Sequence, residues 1–317
     1  MRKTRIFALL LVLCLLLTGC GSTQTPLERT AEYLKTAVPE PDFGSLDGDW
    51  IVFGLARAGA DLSDDYFERY YSAVEAAVQA ADGKLDENRY TEYSRLILAL
   101  TAIGRDPRNV GGYDLLLPLA DLKKTTAQGV NGAAFALLAL DSGGYEIPLD
   151  PEAAVQATRD GYVDVILAQQ NPDGGWSLGG GASDPDLTAM ALQALAGYRS
   201  RTDVSASADA GLSCLAQMQQ EDGAFLSWGA ESSESVSQVL VALTALGLSP
   251  DDARFVKNGQ TLEEVLLRFA QNDGSFVHTQ GDGGNLLATT QAFYALAAVQ
   301  RARDGKTSLY DMSDVAP

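Results

Sequence analysis

The sequence predicts an all-α fold, an (α/α)6 toroid of six outer/inner helix pairs, on three observations. A phrase of alanines and leucines recurs, closing at Gly59, Gly104, Ser142, Gly197, Gly247 and Gln300, in steps of 45, 38, 55, 50 and 53 residues. That period is the length of two helices with their connections. Each phrase closes a segment that is apolar nearly all round, as in Ala133-Ala-Phe-Ala-Leu-Leu-Ala-Leu140, and a helix without a polar face is buried on both sides. The segments between them are one-sided: Phe67, Tyr70, Tyr71, Val74 and Val78 lie opposite Glu68, Arg69 and Glu75. Alternating one-sided outer helices with buried inner ones closes a double ring. No alternating run is long enough for a sheet.

The chain opens on a basic stretch, Arg2, Lys3 and Arg5, followed by an almost purely apolar run from Ile6 to Leu17. That run is too short for a membrane span, which needs roughly 20 residues, and has the length of a signal-peptide core. It ends in Leu17-Thr18-Gly19-Cys20, which resembles a bacterial lipoprotein signal with Cys20 as the lipidated first mature residue. The expected organisation is a signal peptide over 1–19, a short tether over 20–25, the toroid over 26–301 and a surface tail over 302–317. The lipid on Cys20 would hold the protein at the extracytoplasmic face of the cell membrane.

Losing residues 1–19 removes three basic residues and no acidic ones, so the net charge moves from −19 to −22. Such a balance excludes nucleic acid as a partner, because phosphates demand a basic surface, and disfavours adsorption to anionic headgroups. Of three cysteines, Cys14 leaves with the signal and Cys20 is used by the lipid. Cys214 is left alone, so no intramolecular disulfide forms.

Inner helices are expected near 50–58, 92–103, 131–141, 186–198, 235–246 and 287–299. Gly59, Gly104, Gly197 and Gly247 sit where C-capping glycines belong. Pro151, after Asp150, is placed to open an outer helix; Leu262, Val265, Leu266 and Phe269 stripe another. Ahead of three inner helices stand Gln169-Gln-Asn-Pro-Asp-Gly-Gly-Trp176, Gln219-Gln-Glu-Asp-Gly-Ala-Phe225 and Gln271-Asn-Asp-Gly-Ser-Phe276. Glycine permits a left-handed turn and the aromatic plugs the gap between repeats, a structural role more than a chemical one.

With Gly161-Tyr162 and Ala168-Gln169 leading into Gly175-Trp176, the chain resembles the glutamine–tryptophan repeats of squalene and terpene cyclases and of protein prenyltransferase β-subunits. It is closer to bacterial cell-surface prenyltransferase and squalene-oxidase repeat proteins, on phrases such as Asp49-Trp-Ile-Val-Phe-Gly-Leu-Ala-Arg-Ala-Gly59 and Ala288-Thr-Thr-Gln-Ala-Phe-Tyr-Ala-Leu296. Cobalamin carriers of the intrinsic-factor type share the toroid more distantly.

An alternating ring brings the Gly-rich connections 171–186, 221–234 and 272–286 to one rim, together with every inner-helix N-terminus. That rim is expected to gather Trp50, Tyr93, Asn131, Trp176, Asp186, Trp228, Glu234, Asn285 and Gln291, aromatics beside amides and carboxylates as a small-molecule pocket needs. A zinc site of the prenyltransferase kind is not expected, since the lone His278 is a loop residue and Cys214 lies within an outer helix. No metal or cofactor is expected. Asp184-Pro-Asp-Leu-Thr-Ala189 resembles the cyclase Asp-x-Asp-Asp-Thr-Ala motif, whose middle aspartate protonates the substrate. Asp186 holds that place, and Leu187 stands where the motif has its last aspartate. Rim acids Asp49, Asp184, Asp186 and Glu234 also permit a glycan hydrolase, which needs two carboxyls ~6.5–9.5 Å apart. The leading expectation is a lipid-tethered, non-catalytic binder of a corrinoid or a glycan; the alternative is an enzyme on the same toroid, a glycan hydrolase or lyase or a terpene-cyclase-like protein using Asp186 as acid.

Overall fold

A computed structural model describes residues 24–316 apart from 45–47, 63–64 and 228. The leader and Cys20 lie outside the described residues. Among the described residues, twelve α-helices alternate between two rings. The inner ring is α2 (Trp50–Ala58), α4 (Thr91–Ala102), α6 (Val130–Ser142), α8 (Pro185–Leu195), α10 (Ser233–Ala245) and α12 (Leu286–Arg303). Each packs against the next, and α12 packs back against α2, so the ring is closed. The outer members are α1 (Pro26–Ala37), α3 (Tyr66–Ala80), α5 (Leu122–Thr125), α7 (Arg159–Ala168), α9 (Thr202–Met218) and α11 (Leu262–Leu267). The inner helices begin and end within about two residues of their expected positions, except that α8 finishes as a 3-10 turn over Ala196–Tyr198 and α12 runs four residues longer. α10 is buried over its whole length from Ser233 to Thr244, as a helix with neighbours on every side must be.

Local chemistry fixes the ends. Thr25 with Glu28, and Thr261 with Glu264, form reciprocal capping boxes on α1 and α11. Asp184, Ser232 and Asn285 cap α8, α10 and α12 through their side chains. Gly59, Gly104 and Gly247 take positive φ after inner helices; Gly197 does not, because α8 continues into its 3-10 turn. Pro151 falls in a turn, and α7 starts at Arg159 behind the Thr158 cap. The third outer position holds only the four residues of α5 between 3-10 turns. Its repeat is the shortest, and Pro107, Gly111, Gly112 and Pro118 interrupt the backbone there. The single hairpin among the described residues, β1 (Leu226–Ser227) paired antiparallel with β2 (Ala230–Glu231), belongs to a rim loop.

The Asp-Gly motifs work as joints between repeats. In all three the same backbone bond closes the turn: Asn171 to Gly175, Gln220 to Ala224 and Gln271 to Ser275. The following Trp176, Phe225 and Phe276 are fully buried. Trp176 donates its indole N–H to the Ile166 carbonyl at 2.7 Å and its amide to Thr188 Oγ1 at 2.9 Å. Gly274 turns at φ 93°, and a Cβ there would stand 2.5 Å from the Arg29 carbonyl of α1. Glycine is therefore required where the last repeat meets the first helix and the ring is sealed. Trp176→Ala is expected to cost ~3–5 kcal/mol, a fall of roughly 10 °C in a thermal melt; a shift of a degree or two would remove the wedge role.

Residues 304–316 do not lie loose on the surface as a tail. They cross the mouth formed by the inner-helix C-termini, with Leu309, Tyr310 and Met312 buried and Tyr310 stacked on Phe53 at 5.4 Å. Buried Arg57 of α2 donates to the carbonyls of Leu309, Ser308 and Asp311 at 2.8–3.0 Å and to Asp314 at 2.8 Å. Arg301 of α12 reaches the same Asp314 and the Thr307 carbonyl. Apolar segments with two arginines supply the physical reason: the tail covers the lower end of the core and neutralises the guanidiniums there.

Candidate active site

The opposite mouth carries the inner-helix N-termini, and there the structure gathers a small group of polar side chains. Asp184 accepts from the amides of Asp186 and Leu187 at 2.9 and 3.1 Å, fixing the first turn of α8. Asp186, one residue into the helix, is half-buried, and its Oδ1 is shut off from water with no hydrogen-bond partner among the described residues. Burial chiefly, with the neighbouring carboxylates of Asp184 and Glu234, pushes the Asp186 carboxyl up to about 6, against the opposing pull of the Ser235 hydroxyl and His278. Ser235 Oγ is likewise buried without a hydrogen bond among the described residues.

Glu234 is the contrast. Its Oε2 meets the hydroxyls of Ser232 and Ser233 at 3.2 Å each and His278 Nδ1 at 2.8 Å. Glu234 Oε2 thus faces three polar partners, whereas Asp186 Oδ1 has no hydrogen bond among the described residues. The ring of His278 is half exposed, and its loop is stitched to α10 by the Ser233 amide and hydroxyl.

Below them an amide chain crosses three inner helices. Gln193 of α8 donates to the Gln238 carbonyl and Oε1 at 3.0 Å, and Gln238 donates to Gln291 Oε1 at 2.9 Å and Tyr294 Oη at 2.6 Å. The floor is aromatic. Trp50 stands with its ring centre 5.7 Å from Phe135 of α6 and 6.2 Å from Tyr294 of α12, so one indole bridges three helices.

Of the rim residues expected from sequence, Trp50, Asp186, Glu234 and Gln291 are thus brought into one region, with half-buried Asn131 one turn above Phe135 on α6. Others are employed elsewhere. Trp176 is the buried wedge, Tyr93 accepts the Leu85 amide at 2.9 Å, and Asn285 is the cap of α12. Asp49 is fully buried and answers Tyr70 and Arg95 at 2.7 Å each, a structural ion pair. Trp228 lies outside the described residues. Sequence reasoning missed Phe135, Gln193, Ser235, Gln238 and Tyr294; with the exception of Ser235, each follows a named candidate by three, four or seven residues on the same inner helix, the spacing that shares a face. Among the described residues no group of three or more His, Cys, Asp or Glu side chains is placed to hold a metal ion.

Fold and site together define an α/α toroid with a half-buried acid over an aromatic floor. The chain belongs to the prenyltransferase alpha-alpha toroid domain family, whose domain matches residues 117–313. It is similar to the copalyl diphosphate synthase of Streptomyces cyslabdanicus, 29% identical over 296 residues that cover 90% of this chain and 52% of that protein. It is also similar to the drimenyl diphosphate synthase of Streptomyces showdoensis, 30% identical over 162 residues covering 49% of this chain and 29% of the relative. The chain therefore spans about half the length of the one and under a third of the other. Among solved structures, a type II terpene cyclase from Scytonema superposes with a TM-score of 0.56 at 12% identity, covering 87% of this chain and 98% of that one. An unsaturated glucuronyl hydrolase from Bacillus sp. GL1 gives 0.54 at 15% identity, over 92% and 98%. At those identities the structural likeness is one of fold.

The expectation of a non-catalytic binder is overturned by these relatives, which are named as synthases. The error had a physical source. The rim was read as a set of separate contacts, and no pair of residues in sequence revealed that one carboxyl loses its partners. The corrinoid guess falls with it.

Proposed function

We propose that the chain is an enzyme of the terpene-cyclase type, in which Asp186 protonates a carbon–carbon double bond of an isoprenoid and starts ring closure. The observation that carries this reading is the state of Asp186: burial raises it to about 6 despite the opposing Ser235 hydroxyl and His278, and its Oδ1 makes no full hydrogen bond among the described residues. Its place in Asp184-Pro-Asp-Leu-Thr-Ala189 is that of the proton donor in the cyclase motif, and the synthase relatives support the same chemistry. Protonation leaves a carbocation, and the clustered rings of Trp50, Phe135 and Tyr294 would stabilise positive charge through their π-systems. New C–C bonds form as the cation moves along the substrate, and loss of a proton from a neighbouring carbon ends the reaction with no net change in composition.

The protein would reach its membrane through a lipid on Cys20, a reading supported by Leu17-Thr18-Gly19-Cys20. Among the described residues no helix is long and apolar enough to cross a membrane.

The test is incubation with linear C15 and C20 polyprenyl diphosphates and their alcohols in D2O, with products analysed by mass spectrometry. Cyclic isomers carrying one solvent deuterium at a non-exchanging carbon are expected. Because the acid must be protonated, turnover is expected to fall as pH rises through about 6. Products without deuterium, or hydrolysis of a glycan panel in its place, would overturn the proposal.

A further inference from the structure

Three loops stand at the acid's rim, and all three close in the same way. Behind each buried aromatic the chain leaves the rim and returns at the residue that caps the next inner helix. Asp184 donates its amide to the Trp176 carbonyl at 2.8 Å, Ser232 to that of Phe225 at 3.2 Å and Asn285 to that of Phe276 at 2.8 Å. The excursions are residues 177–183, 226–231 and 277–284. Asp186 follows the first of them by three residues, and Glu234 follows the second by three.

The second and third loops are tied together. Thr279 donates to the Glu231 carbonyl at 3.0 Å, and Ser233 donates its amide to the His278 carbonyl at 3.1 Å and its hydroxyl to the Val277 carbonyl at 2.8 Å. Ser227 donates to Asp184 Oδ2 at 3.4 Å, and β1 packs against α8. This pair is therefore fixed to the helix that carries the acid.

The first loop is held at its foot. Asn171 donates to Ser177 Oγ, the Gly181 carbonyl and Ser183 Oγ at 2.9–3.3 Å, and Ser183 donates to Asp173 at 2.6 Å. Above that foot, Leu178, Gly179 and Gly180 make no hydrogen bond among the described residues. Gly179 and Gly180 take φ 77° and 79°, and a Cβ on either would meet nothing within 4 Å. Glycines in open space leave the backbone free to swing. Leu178 at the tip is 60% exposed, and Leu226 at the start of β1 on the neighbouring loop is 42% exposed. Two leucines left in water beside the acid gain by covering each other.

We propose that loop 177–183 is a lid that closes through Leu178 against Leu226, and that Leu178 thereby decides how the carbocation ends. The lid's chemistry rests on the cyclisation proposed above. With the mouth shut, the cation loses a proton from a neighbouring carbon: the C–H pair becomes a C=C bond, the proton returns to the Asp186 carboxylate, and the product is an isomer of the substrate. With the mouth open, water attacks: a C–O bond forms, the oxonium gives up one proton, and the product is an alcohol heavier by one water. A closing loop keeps a reactive intermediate from the second fate by expelling water.

The first arm of the test needs no substrate. In mature protein carrying Cys20→Ser and Cys214→Ala, the pair Leu178→Cys with Leu226→Cys is treated with oxidised glutathione, and disulfide formation is followed by mass spectrometry. A disulfide requires the two Cα atoms within about 7 Å, so its formation reports closure. Cross-linking is expected at least tenfold faster than for Leu149→Cys with Leu226→Cys, since Leu149 is exposed on a different repeat. A pair no faster than that control would overturn the lid. The second arm reads products of Leu178→Ser from a C20 polyprenyl alcohol. The ratio of hydrated to isomeric cyclic product is expected to rise at least fivefold over the natural protein, and an unchanged ratio would overturn the role of Leu178 at the cation. Absence of any cyclic product from both proteins would refute the cyclase reading and that role with it, while the cross-link still decides whether the lid closes.

Discussion

Asp186→Asn is expected to abolish cyclisation, by about 10³-fold or more, while making the protein more stable at pH 8. The first effect follows because asparagine is isosteric with the acid and has no proton to give. The second follows from the sign of the shift. Burial raises the folded-state pKa of Asp186 to about 6, above the unfolded value of ~3.9. Between those values the native state binds the proton more tightly than the unfolded chain does. Stability is therefore lost as pH rises from about 4 to about 6, and the full cost stands above that window. Asparagine avoids the charge, so the variant should gain roughly 1–3 kcal/mol at pH 8, the upper figure reduced by the residue's partial contact with water, and nothing at pH 4. Thermal melts at the two pH values, with product assays on the same samples, check both parts. A variant that keeps turning over would place the acid elsewhere. One that is less stable at pH 8 would show that the carboxyl is not deprived of partners.

Arg57→Met carries the second large effect, a loss of ~3–5 kcal/mol of stability. Arg57 is 3% exposed and ties the backbone of Ser308, Leu309 and Asp311, the Thr307 hydroxyl and the Asp314 carboxylate to α2. Methionine keeps much of the stem's packing and removes every one of those donors, leaving buried carbonyls unanswered. Arg301 keeps its own bond to Asp314, so the tail should loosen over its middle while its end stays held. Chemical denaturation gives the energy, and hydrogen exchange at residues 307–314 shows whether the tail is the part released. If protection there is unchanged, Arg301 with the buried Tyr310 and Met312 holds the tail without Arg57. Asp314 adds a pH signature. Burial pushes its pKa up, but the hydrogen bonds from Arg57 and Arg301 outweigh that and hold it below the usual carboxylate range. The contribution is present above about pH 4 and lost as pH falls through the lowered value.

Much of this was legible in the sequence. The period near fifty residues and the contrast between all-apolar and one-sided segments determine the toroid, because a helix apolar on every side needs neighbours on every side. The inner helices were placed to within about a turn, since Gly59, Gly104 and Gly247 mark their ends; the Asp184, Ser232 and Asn285 caps at their starts went unread until the structure showed them. Asp186 could be singled out by its motif alone. The weak outer positions were not legible: a proline turn at Pro151 and a four-residue helix at Leu122–Thr125 obey loop geometry that periodicity does not see.

What only the tertiary structure decided is how like residues divide between roles. Trp50 and Trp176 are both tryptophans near the rim; one bridges three inner helices at its floor and the other is sealed between repeats. Asp49, Asp186 and Glu234 are all rim acids, yet Asp49 is paired with Arg95 forty-six residues away and Glu234 with His278 forty-four away, while Asp186 Oδ1 makes no hydrogen bond among the described residues. Burial and hydrogen bonding set the chemistry of a carboxyl, and both are supplied by chain segments distant in sequence. Composition likewise made residues 302–317 a polar tail, and only the placement of Arg57 and Arg301 under it turned the tail into a plug. A repeat pattern is local and survives being read one segment at a time; a partner for a buried charge is a fact about two segments at once.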